Sequence, residues 1–146
     1  MNIIEQKVEW LSCSNHMSET MEWAARTCTN TTHLIDSGCY NPDFLKNNIM
    51  KRRHYSVLEH ASITFRLTTT RAIANQIVRH RVAAYCQESM RYVKLNRKDG
   101  GVHVIMPYGV NDWCDEAKLL WYESIRVAED NYNTLLAMGI KAEDAR

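Results

Sequence analysis

The sequence predicts an α+β chain. A stretch at residues 61–70 alternates apolar and polar residues, a long stripe over 112–138 repeats every three to four residues, and the composition is that of a packed globular protein. The chain has 146 residues, of which 45% are apolar and 24% charged, with only 5 Gly and 2 Pro. That length is enough for a core without staples and fits one domain over 1–146. Repeats, low-complexity tracts and Gly/Ser linkers are absent.

Residues 4–11 alternate loosely and read as a strand. Residues 18–29 place Met21, Ala24, Ala25 and Cys28 on one helical stripe. Asn41-Pro42 is a helix start, a capping side chain followed by proline in the first turn. Phe44, Leu45 and Ile49 give that helix an apolar side to about Arg52.

At 61–70, Ile63, Phe65 and Leu67 alternate with Ser62, Thr64, Arg66 and Thr68, as in a strand with one buried face. Residues 71–84 return to helical spacing through Ile73, Ala74, Ile77, Val78 and Val82. Residues 85–100 are polar and basic, and Asp99-Gly100-Gly101 signals a turn. Val102 to Met106 reads as a short strand. The longest helix spans 112–138, with Trp113, Ala117, Leu120, Trp121, Ile125, Ala128, Tyr132, Leu135 and Leu136 in its stripe and Gly139 as its stop. Lys141 to Arg146 is helix-forming without a closing cap, and reads as an interruption.

No apolar run approaches the roughly 18 residues of a membrane span. Met1 to Ser14 carries Glu5, Lys7 and Glu9 and has no signal-peptide core. Five cysteines, at 13, 28, 39, 86 and 114, form no CxxC pair. An odd count without that spacing fits free thiols in a reducing, cytoplasmic setting.

The chain carries 18 basic and 17 acidic residues, but the charge is not evenly spread. Between Lys51 and Lys98 stand 11 Lys/Arg and only two acids, Glu59 and Glu88. Such a field attracts a polyanion, whether nucleic acid, nucleotide or phosphorylated cofactor. The plain alternative is a solvated basic face. A nucleic-acid-binding module is a competing class, but RNP, KH and zinc-finger patterns are absent and few aromatics interleave with the basic residues.

The chemistry concentrates in Gln76-Ile-Val-Arg79-His80-Arg81. On a helix Gln76, Arg79 and His80 share a face, and arginine forks suit phosphate. Cations that merely complement a helix C-terminus are the alternative. Downstream, Gln87-Glu88-Ser89-Met90-Arg91-Tyr92 offers acceptors, a hydroxyl and a further arginine in an irregular stretch. Upstream lies His54-Tyr55-Ser56-Val57-Leu58-Glu59-His60. Two histidines and a carboxylate suggest a metal, but no further ligand stands at a recognisable spacing, and an acid/base or hydrogen-bonding role is favoured.

These segments together resemble the flavin-dependent thymidylate synthases. Arg79-His80-Arg81, seven residues and Ser89 match that family's fingerprint, with Gln76 before it and Arg91-Tyr92 after it. His54-x-Ser56-x-x-Glu59-His60 before the Thr64-Phe65 strand resembles its second block. The helix with Tyr132, Leu135, Leu136 and Gly139, leading to Ala145-Arg146, resembles its third. The chain departs from the family at Ala84, Cys86 and Gln87, where many members have Ser, Asn and Glu. Gln87 keeps an acceptor and loses a charge.

The resemblance implies the fold of that family, which we expect as an antiparallel sheet flanked by helices. It implies reductive methylation of dUMP to dTMP with FAD, NADPH and methylenetetrahydrofolate. It assigns dUMP to Gln76, Arg79, Gln87, Glu88, Ser89, Arg91 and Arg146. FAD falls to Ser56, Arg79, His80, Arg81 and Gln87, and the folate or nicotinamide entry to His54. It assigns no metal, and no nucleophile to Cys86, which is expected as a small buried hydrophobe. It names no catalytic residue here, because the family's activating arginine lies beyond the position of Arg146. It also implies a homotetramer with sites shared between subunits. A split or truncated half needing a complementing C-terminal polypeptide is the alternative.

Overall fold

The computed structural model describes residues 1–35, 41–97 and 101–146. The chain divides into two compact units, Val8–Leu67 and Met1–Lys7 with Thr68–Arg146.

In the first unit, β2 (Lys7–Cys13) pairs with β3 (Ile63–Thr68). Ser14 meets Ser62, Trp10 meets Phe65 and Glu9 meets Arg66, so the two strands run in opposite directions. The strand forms as expected, but the buried face does not: Ile63, Phe65 and Leu67 are 46%, 49% and 42% exposed, and Phe65 packs edge-to-face on Trp10 with ring centroids 5.8 Å apart. A two-stranded ribbon gives each side chain a single neighbouring strand to lean on.

Helix α1 (Met17–Cys28) and helix α2 (Pro42–Phe44), which runs on as a π-helical turn over Leu45–Met50, build the core of this unit. Asn41 caps α2 as expected, its side-chain oxygen accepting the N–H groups of Asp43 and Phe44. Ala25, Ile49 and Val57 are buried, with Met21, Ala24, Phe44, Leu45 and Leu58 packed around them. Glu22 is 3% exposed and sits beside this core. Its carboxylate accepts from Arg26 Nε at 2.8 Å and from the Asn41 N–H at 2.9 Å. The Arg26 guanidinium in turn lies 4.2 Å over the Phe44 ring.

In the second unit, β1 (Asn2–Ile4), β4 (Asn96–Arg97) and β5 (Gly101–Ile105) form a sheet in the order β1-β5-β4. β4 is antiparallel to β5, with Asn96 opposite Val102. β1 is parallel to β5, with Ile3 opposite Val104. Among the described residues the expected antiparallel sheet is therefore corrected to two small sheets, one of them mixed. Parallel neighbours need a long connection rather than a hairpin, and here most of the chain lies between the two strands. Of the expected turn Asp99-Gly100-Gly101, Asp99 and Gly100 lie outside the described residues.

Helix α3 (Arg71–Ile77) starts on Thr70, whose hydroxyl accepts the Ile73 N–H at 3.3 Å. Helix α4 (Asp115–Ala137) carries Asp115 and Glu116 in its first turn, where acids complement the dipole. It ends as the sequence predicts. Gly139 has φ +85°, its N–H donates to the Leu136 carbonyl, and the Ile140 N–H donates to that of Leu135. This is the Schellman closure. The inner side of α4 includes Glu129 and only part of the expected apolar stripe: Leu120, Ala128 and Leu135 of that stripe are exposed, Leu120 by 67%. Among the described residues, no helix is long and apolar enough to cross a membrane.

Candidate functional site

The segments singled out in the sequence fall in both units. In the second, Gln76 occupies the last turn of α3, and the helix stops at Ile77 rather than continuing to 84. Arg79 and His80 donate their N–H groups to the Gln76 and Ile77 carbonyls, three residues back, so the last turn tightens and closes. Arg79, His80 and Arg81 thus stand on a turn beyond the helix, not on its face. All three side chains are exposed, as is that of Gln76. Val82, next in the chain, adopts φ +59°, a conformation rare for a β-branched residue. The Tyr85 hydroxyl donates to the His80 carbonyl at 3.4 Å and ties the following loop to this turn.

Gln87 and Glu88 lie exposed in irregular backbone. Cys86 is also exposed, which corrects its expected burial, since the loop offers it no regular neighbour. The other cysteines described, Cys13, Cys28 and Cys114, are free and exposed as well. Ser89 is half-buried, and its Oγ accepts the N–H groups of Arg91 at 3.2 Å and Tyr92 at 3.3 Å. Two acceptor positions of the hydroxyl are thereby used, leaving its O–H to offer a ligand.

The chain from Ser89 to Leu95 is stitched to distant residues of the same unit. Arg91 Nε donates to Glu143 Oε2 at 2.8 Å, and the Arg91 guanidinium lies 5.6 Å from the Tyr92 ring centroid. The Arg146 guanidinium donates to the Val93 carbonyl. The Leu95 N–H donates to the hydroxyl of Tyr132, which is 3% exposed. Two of the expected dUMP residues, Arg91 and Arg146, are thereby brought to one short stretch of backbone. Residues 141–146 are a bonded turn, with the Asp144 and Ala145 N–H groups on the Lys141 carbonyl, and Ala145 is buried.

In the first unit, His54 precedes the 3-10 segment Tyr55–His60, and its N–H donates to the Ile49 carbonyl at 3.0 Å. His54 and Ser56 are exposed, while Val57 between them and the strand is buried and anchors the segment. His60 and Glu59 are also exposed. Among the described residues no three His, Cys, Asp or Glu converge as metal ligands.

Sequence reasoning missed three carboxylates. Glu143 is the ion-pair partner of Arg91. Glu129 accepts the Met1 amino group at 2.7 Å and the Val102 N–H at 2.8 Å. The amino group and then this backbone bond hold its carboxyl below the usual carboxylate range, against the opposing effect of burial. Glu22 is the third, and its i,i+4 spacing to Arg26 was the one available signal.

What the arrangement offers is a set of exposed guanidinium and imidazole donors on a closed turn, a serine hydroxyl, and an arginine held by a carboxylate. That donor set suits phosphate-bearing ligands. A flavin-dependent thymidylate synthase from Thermococcus onnurineus is 38% identical over 96% of this chain, and one from Geobacter sulfurreducens is 41% identical over 68% of it. The chain spans 59% and 42% of the lengths of these two relatives. A UMP/dUMP methylase from Streptomyces cacaoi, solved with 5-Br dUMP, superposes with a TM-score of 0.74 and 25% identity, covering 100% of this chain and 68% of its own. The family described as thymidylate synthase complementing protein matches residues 11–146, and a match of that extent, with both of these curated relatives named for one activity, means that the chain belongs to this flavin-dependent thymidylate synthase family.

Proposed function

We propose that this chain forms the nucleotide- and flavin-binding part of an enzyme that methylates dUMP to dTMP, with methylenetetrahydrofolate as carbon donor and NADPH as reductant. The observation that carries this reading is the exposed Arg79-His80-Arg81 turn, followed after seven residues by Ser89, in a chain of this family. The central basic excess supports it, because dUMP, FAD and NADPH all bring phosphates.

Gln76, Gln87, Glu88, Ser89, Arg91 and Arg146 take dUMP in this proposal. Arginines grip its phosphate by paired N–H donation, and the amide and carboxylate groups meet the base and sugar. Arg79 stands between the two ligands. His80, Arg81, Gln87 and Ser56 hold FAD, whose phosphates fit the cationic donors of the turn. Bound flavin supplies the hydride that takes the folate's one-carbon unit to the methyl level. His54 borders the entry of folate or nicotinamide. The assembly is a homotetramer of cytoplasmic subunits.

A second reading, favoured by the 59% and 42% coverage of the relatives, is that residues 1–146 bind ligands and need a complementing chain for turnover.

The test is the visible absorption spectrum of the purified protein. A bound flavin band that shifts on adding dUMP supports the first reading. Protein that binds neither FAD nor dUMP, alone or with the remaining family-length segment supplied in trans, overturns both. Recovery of binding or of dTMP formation only with that segment selects the second.

A further inference from the structure

We propose that Glu143 is a positioning residue for Arg91: it takes the guanidinium's Nε and so presents the remaining N–H donors to the anionic part of the nucleotide. The inference rests on the dUMP-binding reading above. It starts from an ion pair whose surroundings do not explain it as a stabilising device. Arg91 Nε lies 2.8 Å from Glu143 Oε2, yet the two side chains are 68% and 32% exposed. Ion pairs so open to water add little to folding, because solvent screens them and two long side chains must be ordered.

The same geometry suits a different purpose. A guanidinium has five N–H donors in a rigid plane, and a phosphate or carboxylate takes two of them in parallel. Engaging Nε with Glu143 fixes the plane and leaves the terminal nitrogens for such a fork. The base of Arg91 is held as well. Its N–H donates to Ser89 Oγ, and the Val93 carbonyl two residues on accepts from Arg146. Glu143 itself projects from the bonded 141–146 turn, which buried Ala145 seats. Main chain and side chain of Arg91 are therefore both ordered before a ligand arrives, which lowers the entropy that binding must spend.

Charge alone predicts the opposite behaviour. A carboxylate beside an anion site repels the anion, so a Glu143 that acted only through its charge would weaken nucleotide binding, and its removal would strengthen it. Positioning and repulsion thus differ in sign. They also separate Gln from Ala. Both substitutions remove the charge, but Glu143→Gln keeps an oxygen able to accept from Nε.

The experiment uses the full-length flavin-loaded protein and dUMP, read by titration calorimetry together with kcat and KM. We expect Glu143→Ala to raise the dUMP Kd and KM about five- to tenfold with a smaller change in kcat, and the melting temperature to hold. Glu143→Gln should stay within about twofold of wild type, because the acceptor that fixes the plane survives. In an Arg91→Ala background, Glu143→Ala should add nothing, since there is no guanidinium left to orient. Equal or tighter dUMP binding by Glu143→Ala, in a wild type that binds dUMP, overturns this proposal alone. A wild type that takes up no dUMP overturns the functional reading and this proposal with it.

Discussion

The hydroxyl of Tyr132, buried on helix α4, accepts the backbone N–H of Leu95 at 3.1 Å. The two residues are 37 positions apart. This bond ties the end of the Ser89–Leu95 stretch, which bears Arg91, to the most regular element of its unit. A helix thereby anchors one end of a loop whose own Ser89 Oγ holds the Arg91 N–H.

Tyr132→Phe removes the acceptor and keeps the ring. The Leu95 N–H is then left in a half-buried place without its partner, at a cost of about 1–2 kcal/mol. The expected outcome is a melting temperature lower by several degrees, with the dUMP affinity reduced because the Arg91 segment loosens. Urea unfolding and dUMP titration on the same preparation check the pair of effects. An unchanged stability would show that water replaces the hydroxyl at no cost.

Arg79 is exposed on the turn after α3, so its loss should leave folding intact. Arg79→Ala is expected to weaken both flavin retention and dUMP binding at least tenfold, the scale of one charge-assisted fork. Flavin absorbance after desalting reads the first, and calorimetry the second. Unchanged binding of both ligands would remove Arg79 from the site.

Glu129 gives the second unit a pH dependence. Its folded-state pKa lies below the ordinary value of 4.5, first through the Met1 amino group and then through the Val102 N–H. A depressed carboxylate contributes stability that is fully present above the unfolded value and is lost as pH falls through the folded one. The protein should therefore lose stability progressively below about pH 4.5. Glu129→Gln should be less stable at neutral pH and show a shallower acid decline. Thermal melts from pH 3 to 7, about the range in which carboxylates titrate, distinguish the two curves; parallel curves would rule out this linkage.

Two glycines should respond differently to alanine. Gly139 has φ +85° with open space where a Cβ would stand, so Gly139→Ala meets backbone strain alone, about 1 kcal/mol. Gly101 has φ +121°, and a Cβ there would lie 2.7 Å from the Met1 nitrogen and 2.9 Å from Glu129 Oε1. Gly101→Ala must therefore displace the ion pair as well as strain the chain, and should cost clearly more. Equal losses in denaturant midpoint would contradict the Met1–Glu129 contact.

Glu22 is buried with Arg26, which is itself nearly enclosed. Glu22→Ala leaves a guanidinium without its charge partner and the Asn41 N–H without an acceptor. A loss of about 3–5 kcal/mol is expected, measured by urea unfolding of the protein. Arg26→Met together with Glu22→Leu should recover much of it, because an apolar pair carries no charge into the core.

How much of this was legible in the sequence follows from the range of the interactions. The Asn41 cap, the Gly139 stop, α1 within a residue or two and the β3 strand could all be read from the order of residues. The cap, the stop and α1 rest on partners within about five positions, and β3 shows itself by its period-2 pattern, although the strand it pairs with lies about 50 residues away. The family was legible too, because Arg79-His80-Arg81 and Ser89 keep a fixed separation along the chain. Tertiary structure decided the rest. It set β1 parallel to β5, left Phe65 half-exposed, and gave Arg91, Leu95 and Arg146 their partners Glu143, Tyr132 and Val93. Those partners stand tens of residues apart. No periodicity names them, because which carboxylate reaches a given guanidinium depends on where packing of the buried side chains sets down each segment.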